Sequence, residues 1–428
     1  MPSLLVTDSK YEFVPPHEGR IWPRILSWLA PGYLRRKYAV TEVEVRGAES
    51  LKQLHDQGHG ILLAPNHCRM SDAIVLQSLS RQAELPFYVM ASSHLFRGEK
   101  SLAWVLRRLG AFSVNREGID RQALQKAIDI LLEGLRPLVI FPEGALSQAN
   151  DRLNALQEGV SFVARSAASK LEKSDNTTEG FKRKVLIVPV AIRYLYRGNI
   201  EATAGDILSS IERRLSWKPF QSEDLVTRIY RVGNALLGLK ELEFLGSTQS
   251  GELSDRLNHL MNHLLVPLET EWLNGPRDGS VIGRVKELRK AILPAMIDGE
   301  LSPEEMNRRW KQLDDASFAQ SLSLYPPQYV AGRPSVDRIL ETVERFNEHL
   351  NGDESAHGPM KAVVQVGQPI EVSAKRDRSV AGDPVMEAIE RALNELLSQT
   401  ASESPLYSAS ASIRADVHNV DTPDRLSR

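Results

Sequence analysis

A chain of 428 residues, 42% apolar and 25% charged, is long enough for one large elaborated domain or for two, and its composition excludes a fibre or a wholly disordered protein. A formal net charge of -2 provides no global basic field for nucleic acid. The single cysteine, Cys68, excludes an internal disulfide and a four-cysteine zinc site, and it fits a reducing cytosol.

In chain order, Met1 to Phe13 lack the basic start and long apolar stretch of a signal peptide, and the first ten residues read as loose. No apolar run approaches the ~20 residues of a membrane-spanning helix, so any contact with a bilayer is expected at its surface. Ile21 to Ala30, with Trp22 and Trp28, precedes Pro31–Gly32 and the basic triplet Arg35–Arg36–Lys37. This pattern fits a helix lying in a lipid interface, and equally a short helix packed on the protein's own core.

From Val40 to Tyr194, strand-like and helix-like stretches alternate. Thr41–Val45 has period two; Gly60–Ala64, Pro137–Phe141 and Val185–Val190 read as buried strands; Pro86–Met90 and Gly110–Val114 are strand-like. Helical patterns cover Ala73–Ser80, Leu102–Leu109, Asp120–Leu135 and Gly159–Lys170, and Glu172–Lys184 is a polar loop. The alternation predicts a three-layer α/β domain. From about Gly205 to Leu350 the pattern is helical only, with a strong helix start at Ser302–Pro303–Glu304–Glu305. Gln365–Val372 looks like a returning strand, Pro384–Leu397 a helix, and the chain beyond Thr400 has a disordered composition. No internal repeat is visible.

The strongest candidate for chemistry is Pro65–Asp72, directly after a buried strand, because α/β proteins place reactive groups in such loops. On one helix His67 and Asp72 would sit roughly 140° apart. They meet only if His67 lies in the loop and Asp72 in the first helical turn, where a carboxylate can hold one ring nitrogen and leave the other to accept a proton. Phe141–Pro142–Glu143–Gly144 also follows a buried strand and forces a special backbone path, which can aim N–H groups at an anion or can be an ordinary turn. Gly110–Arg116 ends by presenting Arg116, suited to clamping phosphate. Val188–Pro189–Val190 is a strand carrying a proline, either the wall of a pocket or plain sheet core.

Together, His-x4-Asp, Gly-x5-Arg, Phe-Pro-Glu-Gly and Val-Pro-Val in this order resemble the glycerol-phosphate and lysophosphatidic acid acyltransferase family, as does Val366–Ile370. The resemblance covers roughly residues 40–200 and 360–398. It implies a three-layer acyltransferase domain with a central mixed sheet (40–204 and 360–400); outside that core the sequence pattern leaves a large all-helical insertion (205–359), an N-terminal segment with a candidate interfacial helix (1–39) and a disordered tail (401–428). It also implies roles by match: His67 as general base, Asp72 orienting it, Arg116 binding the acceptor phosphate, Glu143 and Gly144 shaping the acceptor site, and Pro189 lining it. The implied reaction moves a fatty acyl group from acyl-CoA or acyl-carrier protein, used as co-substrate without further cofactor, to a lysophospholipid or glycerol phosphate. The 1-acylglycerol 3-phosphate is the favoured acceptor. The hydroxyl attacks the thioester directly, Cys68 is a spacer, and the enzyme is expected in the cytoplasm, peripheral on the inner face of the membrane.

Two departures reduce the expected positive charge of the acceptor site. Ala145 and Leu146 stand where the family often has a basic pair, and Gln157 precedes Glu158–Gly159 where a lysine is common; Arg152 is a candidate compensator. His259 and His263 have metal-ligand spacing, but without a His-Glu-x-x-His pattern they read as structural or solvated. Competing readings are a hydrolase, for which no Gly-x-Ser-x-Gly turn is present, and a lipid-binding scaffold on a decayed acyltransferase core.

Overall fold

A computed structural model of the chain describes residues 10–116, 118–173, 177, 178, 181–299, 301–326, 328–352, 354–376 and 382–409. The chain begins with α1 (Ile21–Tyr38), β1 (Val40–Arg46), α2 (Ala48–Asp56), β2 (Gly60–Pro65), α3 (Asp72–Gln82), β3 (Tyr88–Ser92), a 3-10 turn (Ser93–Phe96), α4 (Lys100–Leu109) and β4 (Ala111–Val114). There follow α5 (Arg121–Glu133), β5 (Leu138–Val139), α6 (Gly159–Lys173), a small hairpin of β6 (Thr177–Thr178) and β7 (Phe181–Lys182), and β8 (Val185–Tyr196). Six helices come next: α7 (Ile200–Arg214), α8 (Leu225–Leu245), α9 (Leu253–Leu273), α10 (Val281–Asp298), α11 (Pro303–Leu322) and α12 (Val336–Asn351). The chain returns through β9 (Met360–Val366), β10 (Ile370–Glu371) and α13 (Pro384–Gln399). The loose start expected for the first ten residues lies, up to residue 9, outside the described residues.

The central sheet has the order β1-β9-β8-β2-β5-β3-β4, with β10 on β8. It is mixed, but β8, β2, β5, β3 and β4 run parallel, so their C-terminal ends lie along one edge. Open α/β sheets bind ligands at that edge. Strand β8, apolar from Val185 to Ile192 and buried over its whole length, pairs antiparallel with β9 through Val190–Tyr196 and with β10 through Leu186–Ile187. Pro189 sits at the break between those partners. Its carbonyl accepts from Gly367 N at 2.8 Å, and its missing N–H falls on the interrupted side of the strand, where no ladder bond is lost.

Helices cover both faces. One core joins Leu51, Val75, Leu76 and Leu79 to Val188, Val190 and Ile192 of β8; the other packs Ile128, Leu131, Val163 and Ile389 against Ile187. A glycine is required at position 60, since a Cβ there would collide with the Leu131 carbonyl and push α5 off β2. Helix α1 runs through Pro31 to the basic triplet, joining in one element what the sequence shows as two stretches.

The helical stretch is not uniformly an appendage. Ile207, Leu208 and Ile211 of α7, Ile229 of α8, and Ile339, Leu340 and Val343 of α12 belong to the core on the sheet face, whereas α9, α10 and α11 enclose a core of their own. The tail expected to be disordered from residue 401 is placed through Ala409. Tyr407 is buried and its hydroxyl donates to Glu201 Oε1 at 2.9 Å, while Val336 N and Tyr407 N bond to Pro405 O and Pro334 O. An aromatic side chain with a slot and backbone partners outweighs the disordered composition around it. Residues 410–428 lie outside the described residues.

The structure also shows a repeat that the sequence reading did not find. Arg228, Arg256 and Arg284 stand at equal intervals, each four residues into its helix after the preceding cap, and α8 and α9 are both 21 residues long with the same offset. Each arginine makes a two-pronged bond to a fully buried glutamate of the preceding helix: Arg228 to Glu212, Arg256 to Glu241 and Arg284 to Glu269, at 2.7–3.0 Å. The same glutamates accept the backbone N–H of Phe220, Gln249 and Arg277, and Asn234 and Asn262 take the remaining guanidinium nitrogen of Arg256 and Arg284. Removing one partner strands a buried charge. Glu241→Ala is therefore expected to lose about 3–5 kcal/mol of stability in denaturant unfolding, and the apolar pair Glu241→Leu with Arg256→Met to recover most of it.

Candidate active site

The site forms at the C-terminal edge of the parallel strands, and Asp72 is at its centre. Strand β2 ends at Pro65, and the next residue, Asn66, is clamped to β8 by its side chain, which accepts from Ile192 N at 2.7 Å and donates to Ile192 O at 3.0 Å. The chain then turns through His67 to Met70 and enters α3 at Asp72, in the first helical turn, where a negative charge is favoured. Asp72 is fully buried. Its Oδ2 accepts from His67 Nδ1 at 2.9 Å and from Arg69 N at 3.0 Å; its Oδ1 accepts from the Tyr194 hydroxyl at 2.7 Å. Ser71 Oγ donates to the Tyr194 oxygen at 2.8 Å.

His67 and Asp72 thus meet as the sequence requires, one in the loop and one on the helix. The carboxylate accepts, so Nδ1 carries the proton and Nε2 keeps its lone pair. The imidazole stacks on Phe141, with centroids 4.0 Å apart, and its side chain is 17% exposed. Among the described residues no hydrogen bond is recorded to Nε2. Cys68 is buried at 3.8 Å from Asp72 Oδ1, and burial, reinforced by the Asp72 charge, pushes its thiol well above the usual range. It is a neutral packing group beside the pair.

Glu143 is a backbone clamp. Fully buried, it accepts His67 N on Oε1 at 2.7 Å and Asn154 N on Oε2 at 2.8 Å. Burial pushes its carboxyl up to about 7, against the opposing pull of those two N–H bonds. Gly144 has φ 67 and turns its N–H back onto Phe141 O at 3.2 Å, so that donor closes the turn and does not point at a ligand. Beyond it, Ser147 N donates to His67 O at 2.7 Å, so the loops after β2 and β5 hold each other.

The other expected site residues are more dispersed. Arg116 is exposed at the end of β4, three strands from β2, or roughly 14 Å at ~4.8 Å per strand. It lies close enough to His94 for its charge, after burial, to help push that imidazole down to about 4. Pro189 is buried within β8, paired with Ala64, below the edge. Arg152 lies over the Tyr329 ring at 5.6 Å. Instead, Lys286 of α10 reaches the turn, its Nζ donating to Gln157 Oε1 at 3.3 Å, while Gln157 N donates to Pro142 O at 2.7 Å. His259 and His263 are exposed on α9, and among the described residues no group of three metal-ligating side chains occurs.

The sequence reading missed Tyr194, Arg69 and Asn154. Tyr194 was the most accessible, since it shares a face of β8 with Val188, Val190 and Ile192 at period two.

The sequence model of the Acyltransferase family matches residues 42–193. Those residues form an acyltransferase domain. A stretch of 183 residues is also 28% identical to the glycerol-3-phosphate acyltransferases of Shewanella sp. strain ANA-3 and Shewanella oneidensis, covering 41% of this chain. The same figures hold for that of Shewanella baltica. The match spans only 20% of the length of each of these relatives.

Because both oxygens of Glu143 face N–H donors, Glu143→Gln puts an amide NH2 against one of them. This variant is expected to lose about 1–3 kcal/mol in thermal or denaturant unfolding. A stability equal to wild type would show that the clamp is not formed.

Proposed function

We propose that the chain is an O-acyltransferase in which His67 Nε2 takes the proton of an acceptor hydroxyl. The single observation that carries this reading is the His67 Nδ1–Asp72 Oδ2 bond of 2.9 Å at the ligand edge of the sheet. As the hydroxyl oxygen attacks the thioester carbonyl, its proton passes to Nε2, and the buried carboxylate stabilises the imidazolium. Collapse of the tetrahedral intermediate breaks the C–S bond, and the imidazolium returns the proton to the thiolate. No acyl-enzyme forms. The donor is acyl-CoA or acyl-carrier protein.

The acceptor is a glycerol phosphate. The name of the relatives supports glycerol 3-phosphate itself, and the sequence reading favours its 1-acyl form. Arg116, at the same edge and three strands away, is suited to the phosphate, with Lys286 contributing a second cation beside the Phe141–Gly144 turn. The test is release of free thiol from an acyl thioester, with glycerol 3-phosphate, its 1-acyl form, or water alone. Acceptor-dependent release supports transfer; release in water alone supports a hydrolase; no release with lipid bound supports a scaffold. His67→Ala is expected to slow transfer at least ~100-fold.

The same reading places the enzyme on a bilayer surface. Among the described residues no helix is long and apolar enough to cross a membrane. Helix α1, however, exposes Ile21 (73%), Ile25 (50%), Trp28 (72%) and Leu29 (64%) along one stripe, with Arg24 beside them. Its basic last turn, Arg35–Lys37, lies where β1 starts, and Val40 of β1 pairs with Met360, the partner of Tyr196 at the catalytic end of β8. An apolar stripe flanked by cations fits an anionic lipid interface. Trp28→Ser with Leu29→Ser is expected to weaken sedimentation with anionic vesicles at least ~10-fold, because each buried side chain contributes about 1.5–3 kcal/mol. Unchanged sedimentation removes α1 as the contact.

A further inference from the structure

Helix α12 lies outside the stretch that matches the acyltransferase family, yet it is linked to both oxygens of Asp72, through Arg69 on one side and through Asn150 and Tyr194 on the other. Arg69, whose backbone N–H holds Asp72 Oδ2, sends its guanidinium Nη1 to Glu344 Oε2 at 3.2 Å. Glu344 Oε1 in turn accepts His357 N at 2.8 Å and pairs with His357 Nδ1 at 3.1 Å. On the other side, Glu341 Oε2 accepts Asn150 N at 3.3 Å and the Tyr329 hydroxyl at 2.5 Å. Asn150 bonds both backbone groups of Tyr194, at 2.5 and 2.6 Å, and the Tyr194 hydroxyl holds Asp72 Oδ1. The same helix also grips the loop that carries Ser147. Arg345 bonds Gln148, whose amide donates to Glu348, and Arg338 Nε reaches Asp151 Oδ2 at 3.0 Å.

We propose that Glu344 is a positioning residue for the His67–Asp72 pair, acting through Arg69, so that the helical insertion sets the geometry of the catalytic loop. His67 belongs to a short irregular segment, and displacements well under 1 Å at such a base cost catalysis dearly. A buried ion pair is no better for stability than apolar groups of the same size, so stability alone does not account for Arg69 within the loop. Burial would raise the Glu344 carboxyl, but the Arg69 charge and the His357 bonds outweigh it and hold it below the usual carboxylate range. The carboxylate therefore remains to neutralise the guanidinium, which also sits 5.5 Å from the Tyr194 ring centroid.

The rate arm of the test rests on the acyltransferase reading; a spectroscopic arm does not. In the full chain, Glu344→Gln is expected to lower kcat for acceptor-dependent thiol release at least ~10-fold with KM for the thioester changed less than about two-fold. Glu212→Gln, at a more deeply buried pair in the helical stack, is the stability control: its Tm falls at least as far and its kcat does not. The Nδ1–H proton of His67, a downfield resonance absent from His67→Ala, is expected in wild type and Glu212→Gln and lost or broadened in Glu344→Gln. Wild-type kcat and an intact resonance in Glu344→Gln would overturn the proposal. If wild type releases no thiol, the enzymatic reading fails and the resonance alone decides the positioning role. Should Glu344→Gln not fold, Arg69→Met with Glu344→Leu carries the same readouts.

Discussion

A negative charge removed from water must be met by donors, and the architecture around Asp72 follows from that requirement. Its carboxylate is fully buried, and its two oxygens collect an imidazole, a backbone N–H and a phenol. The backbone N–H fixes the path of the chain from His67 to α3. The phenol fixes the end of β8 relative to that loop. The imidazole is the one member with a second ring nitrogen, so the desolvation of one aspartate also orients the ring whose Nε2 is the proposed base.

Around this centre, irregular backbone is held by groups that sequence logic would assign to substrates. Glu143 spends both oxygens on backbone N–H groups, one of them that of His67. Asn66 and Asn150 each bond both backbone groups of one β8 residue, tying the loops after β2 and β5 to the same strand. The acyltransferase domain and the helices that follow it share these bonds. Helix α12 packs in the sheet core, and its polar edge meets both loops. The family match ends at Arg193, but the hydrogen-bond network around the His67–Asp72 pair continues beyond it.

Much of this was legible in the chain. Buried apolar runs marked the strands, and every strong motif followed one, so the C-terminal edge could be expected before the sheet order was known. The His67–Asp72 spacing left one geometry by which they could meet, and the structure adopts it. The polar side of α12 was not legible: Glu341, Glu344, Arg345 and Glu348 have the helical spacing of a solvated face, and only their partners on distant loops show Glu341 and Arg345 to be buried and Glu344 and Glu348 to be half-buried. Nor was the loss of charge after Glu143 interpretable, because Lys286 approaches Gln157 from a helix far along the chain. The repeat escaped notice because its units share scattered leucines, one arginine and one glutamate, a pattern that emerges only when the buried pairs are seen.

Those pairs make α7 through α10 a chain of interchangeable couplings. Each of α7, α8 and α9 presents a glutamate near its end to an arginine in the first turns of the helix that follows, and the three joints share this two-pronged pair. The length of the stack is therefore separable from the register of its neighbours. A unit could be gained or lost through tandem duplication or excision with every remaining junction still chemically matched, leaving α12 free to keep its hold on the loops after β2 and β5 while the outlying helices evolve.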